Sequence, residues 1–403
     1  MKFVGIDWSS QHNDICIVNE KEEKVKEFRI KINRKEFEYL LKQLNLVSAD
    51  KDEIMIGIET DRNILTDFLL SHGYTVYSLN PLKVSRFKER YSVSSKKDDK
   101  FDAACIALFL LKDGHNFEKI RPSSPECDAL RLHCETLERL TKDRTRLLNR
   151  LRSDLSAYFP AILGFFSDLD TSVPLNILRL CAGPSEFKKL TGEQFLDKLK
   201  TVKYMTEKRR IGLYNHLKSE TIHFNSSREQ ALAVRVRIVA DRVLEINRLM
   251  DECNKNIKEL YERSEFAKIF SSLPGAGKIL APKLFALFGN NRNRFESYQS
   301  VQCYAGTAPV TERSGKSFYK VKMRRACNKS FRDALYQFAF SSISHEAWSA
   351  QYYQQLRNRG QSHSRAVRAL SNKWVKIIFR MWKNSTVYDS SIFVTKREKY
   401  LAA

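Results

Sequence analysis

The chain has no long apolar run. Its longest, Ala103 to Leu111, has nine residues, about half of the roughly 18 that a membrane-spanning helix needs. The first residues, MKFVGIDW, show neither a charged n-region nor a long apolar h-region, so no secretory signal is expected. The eight cysteines form no CxxC pair and no ladder of regular spacings, which argues against zinc fingers and a disulfide framework alike. They are expected as reduced, mostly buried thiols in a cytosolic protein. Internal repeats and low-complexity tracts are also missing. What the chain does have is size and positive charge. Its 403 residues, 42% of them apolar, suffice for two or three domains with cores of their own. Seventy Lys and Arg against 47 Asp and Glu leave a net charge of +23, a self-repulsion that a polyanion would relieve. Nucleic acid is therefore the first partner to consider.

The first 112 residues alternate strand and helix signals. Lys2–Ser9, Asp14–Asn19 and Val25–Ile32 read as three strands, and Arg34–Leu44 as a helix with Phe37, Leu40, Leu41 and Leu44 at helical spacing. A strand at Glu53–Thr60, a helix at Arg62–His72, a strand at Tyr74–Leu79 and a helix from about Lys97 complete the order βββαβαβα. That is the order of an RNase H-like domain, whose first and fourth strands lie side by side. Pro125 to Tyr158 reads as one long polar helix. A mixed segment broken by Pro160, Pro174 and Pro184 follows. Leu232, Val236, Val239, Val243, Ile246, Met250, Cys253, Ile257 and Leu260 then step by four and three, as in a coiled-coil seam. The partner of that seam lies either in the same chain or in a second one. The fold class is thus α/β plus α, with expected domains at residues 1–122, 123–264 and 265–403.

Asp7 ends the strand FVGID and Glu59 lies near the end of IMIGIE, on the face shared with Met55 and Gly57. Asp99 and Asp102 are three residues apart, so a helix projects them from one face, while Asp98 points elsewhere. Convergent carboxylates repel unless cations sit among them. The natural occupants are two Mg²⁺ or Mn²⁺ ions, hard cations suited to bridging a phosphate. Taken singly, these acids are equally well read as a helix-dipole partner or a solvated strand end.

Farther on, Pro274-Gly275-Ala276-Gly277 precedes a helix at Lys278–Leu287, a glycine turn that suits backbone contact with phosphate as in a helix-hairpin-helix element. A plain turn and cap would look the same. From Arg313 to Arg332 there are eight Lys or Arg and no acid. Arg313, Lys316, Lys320, Lys322, Arg324, Arg325 and Lys329, with Gly275, Gly277 and Lys278, are the candidate nucleic-acid contacts. Ser314 stands among these cations, which would stabilise charge developing on an attacked phosphodiester; an ordinary Ser-Gly turn is the rival reading. Trp348, Tyr352, Tyr353, Arg357, Arg359, His363, Arg365 and Arg368 suit either strand stacking or an aromatic core stripe.

GIDWSSQHNDICIV, IGIET, NPLKVSRF and KKDDKFDAACIA, followed by LPGAGKILAPKLFALFG, FESYQSVQCYAGTAPVTERSGK and RRACNKSFRDALYQFA, resemble the insertion-sequence transposases. These have an N-terminal DEDD domain similar to the Holliday-junction resolvase RuvC and a C-terminal serine-bearing transposase domain. The resemblance spans nearly the whole chain. It implies that Asp7, Glu59, Asp99 and Asp102 bind the metals and that Ser314 is the nucleophile. It further implies donor and target DNA, a structured guide RNA and a homo-oligomer as partners, and a cytoplasmic, nucleoid-associated setting. Site-specific inversion, a structure-selective endonuclease using water, and a nucleic-acid-binding scaffold with incidental acids are the alternatives.

Overall fold

In a computed structural model, residues 1–59, 63–91, 99–117, 119–121, 123–222, 227–314 and 318–391 are described. The chain divides into two compact units, Met1–Pro122 and Ser123–Ala403.

In the first unit, β1 (Lys2–Trp8), β2 (His12–Asn19) and β3 (Lys24–Lys31) form an antiparallel meander. After α1 (Arg34–Val47), β4 (Ile54–Ile58) adds parallel to β1; after α2 (Ile64–Ser71), β5 (Thr75–Ser78) adds parallel to β4. The sheet order 3-2-1-4-5 fits an RNase H-like domain. Two helices close the unit, α3 (Pro81–Lys88) and α4 (Asp99–Asp113). The sequence reading missed α3, a short helix started by Pro81 at its first turn and capped by the Asn80 side chain on Leu82 N–H. Asp98, and the expected helix start at Lys97, lie outside the described residues.

The strands alternate strictly. Val4, Ile6, Ile15, Ile17, Ile54, Ile56 and Ile58 face α1 and α2, whereas Phe3, Cys16 and Val18 face α3 and α4. On this second face Gly5 and Gly57 are register partners. A Cβ on Gly5 would lie 2.0 Å from the Ala103 carbonyl oxygen and 2.4 Å from Ala107 N. Glycine there is what lets α4 rest its backbone on the sheet.

The second unit is mostly helical. The long helix α5 (Pro125–Tyr158) is followed by five short ones, α6 (Pro160–Phe165), α7 (Ser172–Leu180), α8 (Pro184–Lys188), α9 (Gly192–Leu199) and α10 (Glu207–Glu220). The second long helix, α11 (Ser227–Glu262), then returns along α5. The seam therefore pairs within the chain. Val236, Val239 and Val243 share a core with Leu151, Leu155 and the short helices, and Ile257 packs into the distal core beside Cys127 and Leu130. Leu232, Ile246, Met250 and Leu260 are only half-buried.

Beyond it lie α12 (Ala267–Ser271), α13 (Gly277–Phe288), α14 (Tyr298–Tyr304), the strands β6 (Val310–Ser314) and β7 (Phe318–Lys322), then α15 (Lys329–Ser342), α16 (Ala347–Asn358) and α17 (His363–Asn384). The β6–β7 hairpin places Ser314 at the end of a strand that the sequence reading did not anticipate. Its strands are short and rich in charge, so they lack the alternating apolar signal of a sheet built on a core. Among the described residues, no helix is long and apolar enough to cross a membrane. Six cysteines are buried, Cys303 is exposed, Cys327 is half-buried, and all eight are free thiols.

Candidate active site

Asp7 extends the β1 face that carries Gly5 and stands opposite Asp14 of β2. Glu59 follows β4, whose Ile58 pairs with Ile6, so Asp7 and Glu59 come from adjacent parallel strand ends. The close seating of α4 on Gly5 presents Asp99 and Asp102, in its first turn, to the same edge. Burial raises the Asp7 carboxyl to about 6, with further upward pressure from Asp102, Glu59 and Asp99 and relief from Lys88. Glu59 is also raised, first by burial and then by Asp102, against the lowering effect of Lys88.

Lys88 is the residue the sequence reading missed. It ends α3, and its Nζ lies 3.1 Å from Asp102 and 3.7 Å from Glu59. An ammonium thus sits among carboxylates whose mutual repulsion calls for a cation. An all-oxygen set of this kind fits a hard divalent ion.

Asp99 is placed differently. Its carboxylate lies 3.7 Å from His12 Nε2 and 3.6 Å from the Arg29 guanidinium. Arg29 also clamps the buried Asp14 through two bonds of 3.0 and 2.8 Å. His12, Asp14 and Asp99 form the group whose ligand atoms all lie within 4.8 Å of one another. The acidic edge therefore has two parts, Asp7, Glu59 and Asp102 around Lys88, and Asp99 with His12, Asp14 and Arg29. Asp14 opens the strand read from the sequence while His12 precedes it, and nothing in the sequence alone placed that strand's face beside α4.

In the second unit, Gly275 and Gly277 both take left-handed backbone angles, φ 80° and 57°, between α12 and α13. The Gly275 carbonyl accepts a 2.7 Å bond from Ser341 Oγ, and a Cβ there would lie 2.8 Å from that oxygen. At Gly277 a Cβ would meet nothing, so it is the left-handed backbone and not crowding that favours glycine, and Lys278 beside it is exposed. Ser314 is the last residue of β6, in register with Phe318, and Arg313 faces Tyr319 across the hairpin. Gly315 and Lys316 lie outside the described residues, as do the side chains of Arg313, Ser314 and Lys320. Lys322, Arg325 and Lys329 are exposed and Arg324 is half-buried.

The aromatic group farther on is mostly engaged within the protein. Trp348 donates to Tyr388 Oη at 2.8 Å and packs on Trp374, Tyr353 bonds His363, and Arg368 donates to Tyr336 Oη. Arg357 donates to the Gln361 carbonyl. Trp348, Tyr352 and Tyr353 are partly buried against the core, whereas Arg357, Arg359, His363 and Arg365 are exposed.

Two family models match the chain, and both describe transposases. Residues 4–160 match the DEDD transposase model of the IS110 type, and residues 267–354 match the model for transposases of the IS116/IS110/IS902 family. The protein is accordingly a transposase, an enzyme acting on DNA. More narrowly, its two matched segments make it an IS110/IS116 family transposase with one domain of each kind. It is 27% identical to the mini-circle putative transposase for IS117 of Streptomyces coelicolor, over 93% of this chain and 92% of that one. Over 41% of this chain and 47% of the relative, it is 30% identical to the putative transposase y4uE of Sinorhizobium fredii. It is also 25% identical to a 42 kDa protein of insertion element IS900 from Mycobacterium paratuberculosis, covering 84% and 85% of the two chains.

Proposed function

We propose that this transposase is a metal-dependent recombinase that cuts and rejoins DNA through a serine–phosphate ester. The observation that carries the reading is the acidic edge, where Asp7, Glu59 and Asp102 gather around one cation at the ends of β1, β4 and the start of α4. Asp7, Glu59, Asp99 and Asp102 would hold two Mg²⁺ or Mn²⁺ ions. Such ions, when bound, stabilise the oxygens that enter and leave phosphorus in an in-line displacement. His12 and Arg29 orient Asp99, and Lys88, displaced from the carboxylates, is free to neutralise a phosphate oxygen.

Ser314 is the proposed nucleophile. Its oxygen forms a bond to phosphorus as one phosphate–deoxyribose bond breaks; the serine proton passes to a base and the departing sugar oxygen takes one up. Attack on this ester by the hydroxyl of another strand reverses the step and frees the serine, so no external energy source is needed. Gly275, Gly277, Lys278 and the cations Arg313, Lys316, Lys320, Lys322, Arg324, Arg325 and Lys329 grip backbone phosphates. That division suits a guide RNA that carries sequence specificity by pairing with donor and target DNA, in a homo-oligomeric assembly.

The test is denaturing electrophoresis of labelled DNA with the complete assembly and Mg²⁺, followed by peptide mapping. A covalent adduct at Ser314, lost in Ser314→Ala, supports the reading. Cleavage without any adduct favours the second reading, a junction-type endonuclease in which the acidic edge acts with water.

A further inference from the structure

The helices α6–α10 lie outside both family matches over most of their length, and nothing in the acidic edge or the β6–β7 hairpin uses them. Their most exposed feature is the turn between α9 and α10. Val202 and Met205 are buried, at 2% and 4% exposure, and anchor the turn in the core of this helical cluster. Between them Tyr204 is 88% exposed, the highest value of any large apolar or aromatic side chain among the described residues. Its φ is 63°, in the left-handed region that a bulky residue rarely occupies. Glycine would hold this backbone at lower cost, and burial gains nothing for the ring, so packing does not account for a tyrosine here.

The surroundings are cationic. From Lys198 to Arg210 there are six Lys or Arg and one acid, Glu207. Lys203, Lys208 and Arg209 are exposed and, among the described residues, have no carboxylate within ion-pair distance; Lys200 pairs with Asp197 at 3.2 Å. The residues flanking the ring, Thr201, Lys203 and Thr206, are polar and exposed. A protein-binding aromatic would instead be expected at the centre of an apolar patch. An exposed ring with cations close to it in sequence suits a nucleobase stacked on its face while the adjoining phosphates meet the ammonium and guanidinium groups. A base paired within a duplex has its faces covered, so the strand must be unpaired.

We propose that the Thr201–Thr206 turn is a binding site for single-stranded nucleic acid, with Tyr204 as the stacking platform and Lys203, Lys208 and Arg209 as phosphate contacts. This site stands independently of the cleavage mechanism, because its test reads binding alone.

The experiment uses the full chain and fluorescence anisotropy with labelled 12-nucleotide RNA, the matching DNA strand and a blunt DNA duplex, each over a series of salt concentrations. Tyr204→Gly suits the backbone, and a melting temperature equal to or above the parent's shows it folded. We expect it to weaken strand binding about five-fold or more, the least that loss of one stacked base produces, with the duplex unaffected and Tyr204→Trp restoring the strand. The triple change Lys203→Gln, Lys208→Gln, Arg209→Gln should lower the log–log salt slope by about two. A larger loss with RNA or with DNA identifies which strand is the ligand. Parent-like affinity in folded Tyr204→Gly overturns the proposal, as does a loss equal for strand and duplex.

Discussion

The Lys88 ammonium lies 3.1 Å from the Asp102 carboxylate and 3.7 Å from that of Glu59. It compensates the acidic edge, and a divalent ion bound there, as proposed, would have to displace it. Lys88→Met should therefore lower the melting temperature in EDTA, because the carboxylates lose their cation. The same variant should show a larger rise in melting temperature on adding Mn²⁺, since the competitor is gone. An identical Mn²⁺ response in parent and variant would show that lysine and metal do not share this space.

The acidic edge also has a pH signature. Asp7 has a folded-state pKa of about 6, above its ordinary value of 3.8, chiefly through burial. A raised carboxyl binds its proton more tightly when folded, so metal-free stability is highest below the ordinary value and falls as pH rises from about 4 to about 6. Asp7→Asn should remove that fall and stabilise the metal-free protein at pH 7 by about 1–2 kcal/mol. This is less than the ~3 kcal/mol that the shift from 3.8 to about 6 would give at ~1.4 kcal/mol per pKa unit, because the site is open to water. Thermal melts in EDTA from pH 4 to 8 measure it, and parallel curves for parent and variant would contradict it.

Gly5 determines how closely α4 can approach. Its added Cβ would meet backbone atoms, the Ala103 oxygen at 2.0 Å and Ala107 N at 2.4 Å. Gly5→Ala should cost about 3 kcal/mol or more, at or beyond the upper end of ordinary overpacking, because backbone cannot rotate aside. It should also abolish metal-dependent DNA cleavage by shifting Asp99 and Asp102. At Gly57 the nearest atoms are the flexible ends of Leu79 and Ile106, at 3.0 and 3.3 Å. Gly57→Ala should accordingly be milder, and denaturant titration of both variants ranks them.

Asp102→Asn should eliminate strand cleavage in Mg²⁺ while leaving nucleic-acid affinity close to the parent's, since one carboxylate is lost and the cationic surface is untouched. Gel-shift and cleavage assays on the same preparation separate the two effects. Equal turnover by parent and variant would exclude Asp102 from the chemistry.

Val243 is fully buried in the core between α11 and its neighbours. Val243→Asp should destabilise the second unit by about 3–5 kcal/mol, the cost of an unpaired charge in an apolar core. Because the seam pairs within the chain, this loss should be independent of protein concentration. A loss that grows or shrinks with protein concentration would instead reveal a contribution of the seam to pairing between chains.

Much of this protein was determined by local sequence alone. The alternation of apolar residues in FVGID and IMIGI made strands of them, Pro125 and Ser124 started the long helix, and the four-and-three step of Val236, Val239 and Val243 marked a helix pairing with another. Asp7 and Glu59 were legible as strand-end carboxylates because strand side chains alternate at a fixed period, and Asp99 and Asp102 as one helix face because three residues is close to one turn. Tertiary structure decided the rest. Only the parallel pairing of β1 with β4 sets Asp7 beside Glu59, and only the Gly5 contact brings α4 to that edge. Lys88, His12 and Arg29 join the acids through elements distant in sequence, and no local periodicity reports such a meeting. The seam could not name its own partner, because an apolar stripe is satisfied by any complementary helix; the five short helices between α5 and α11, packed into one core with both, place that partner in the same chain.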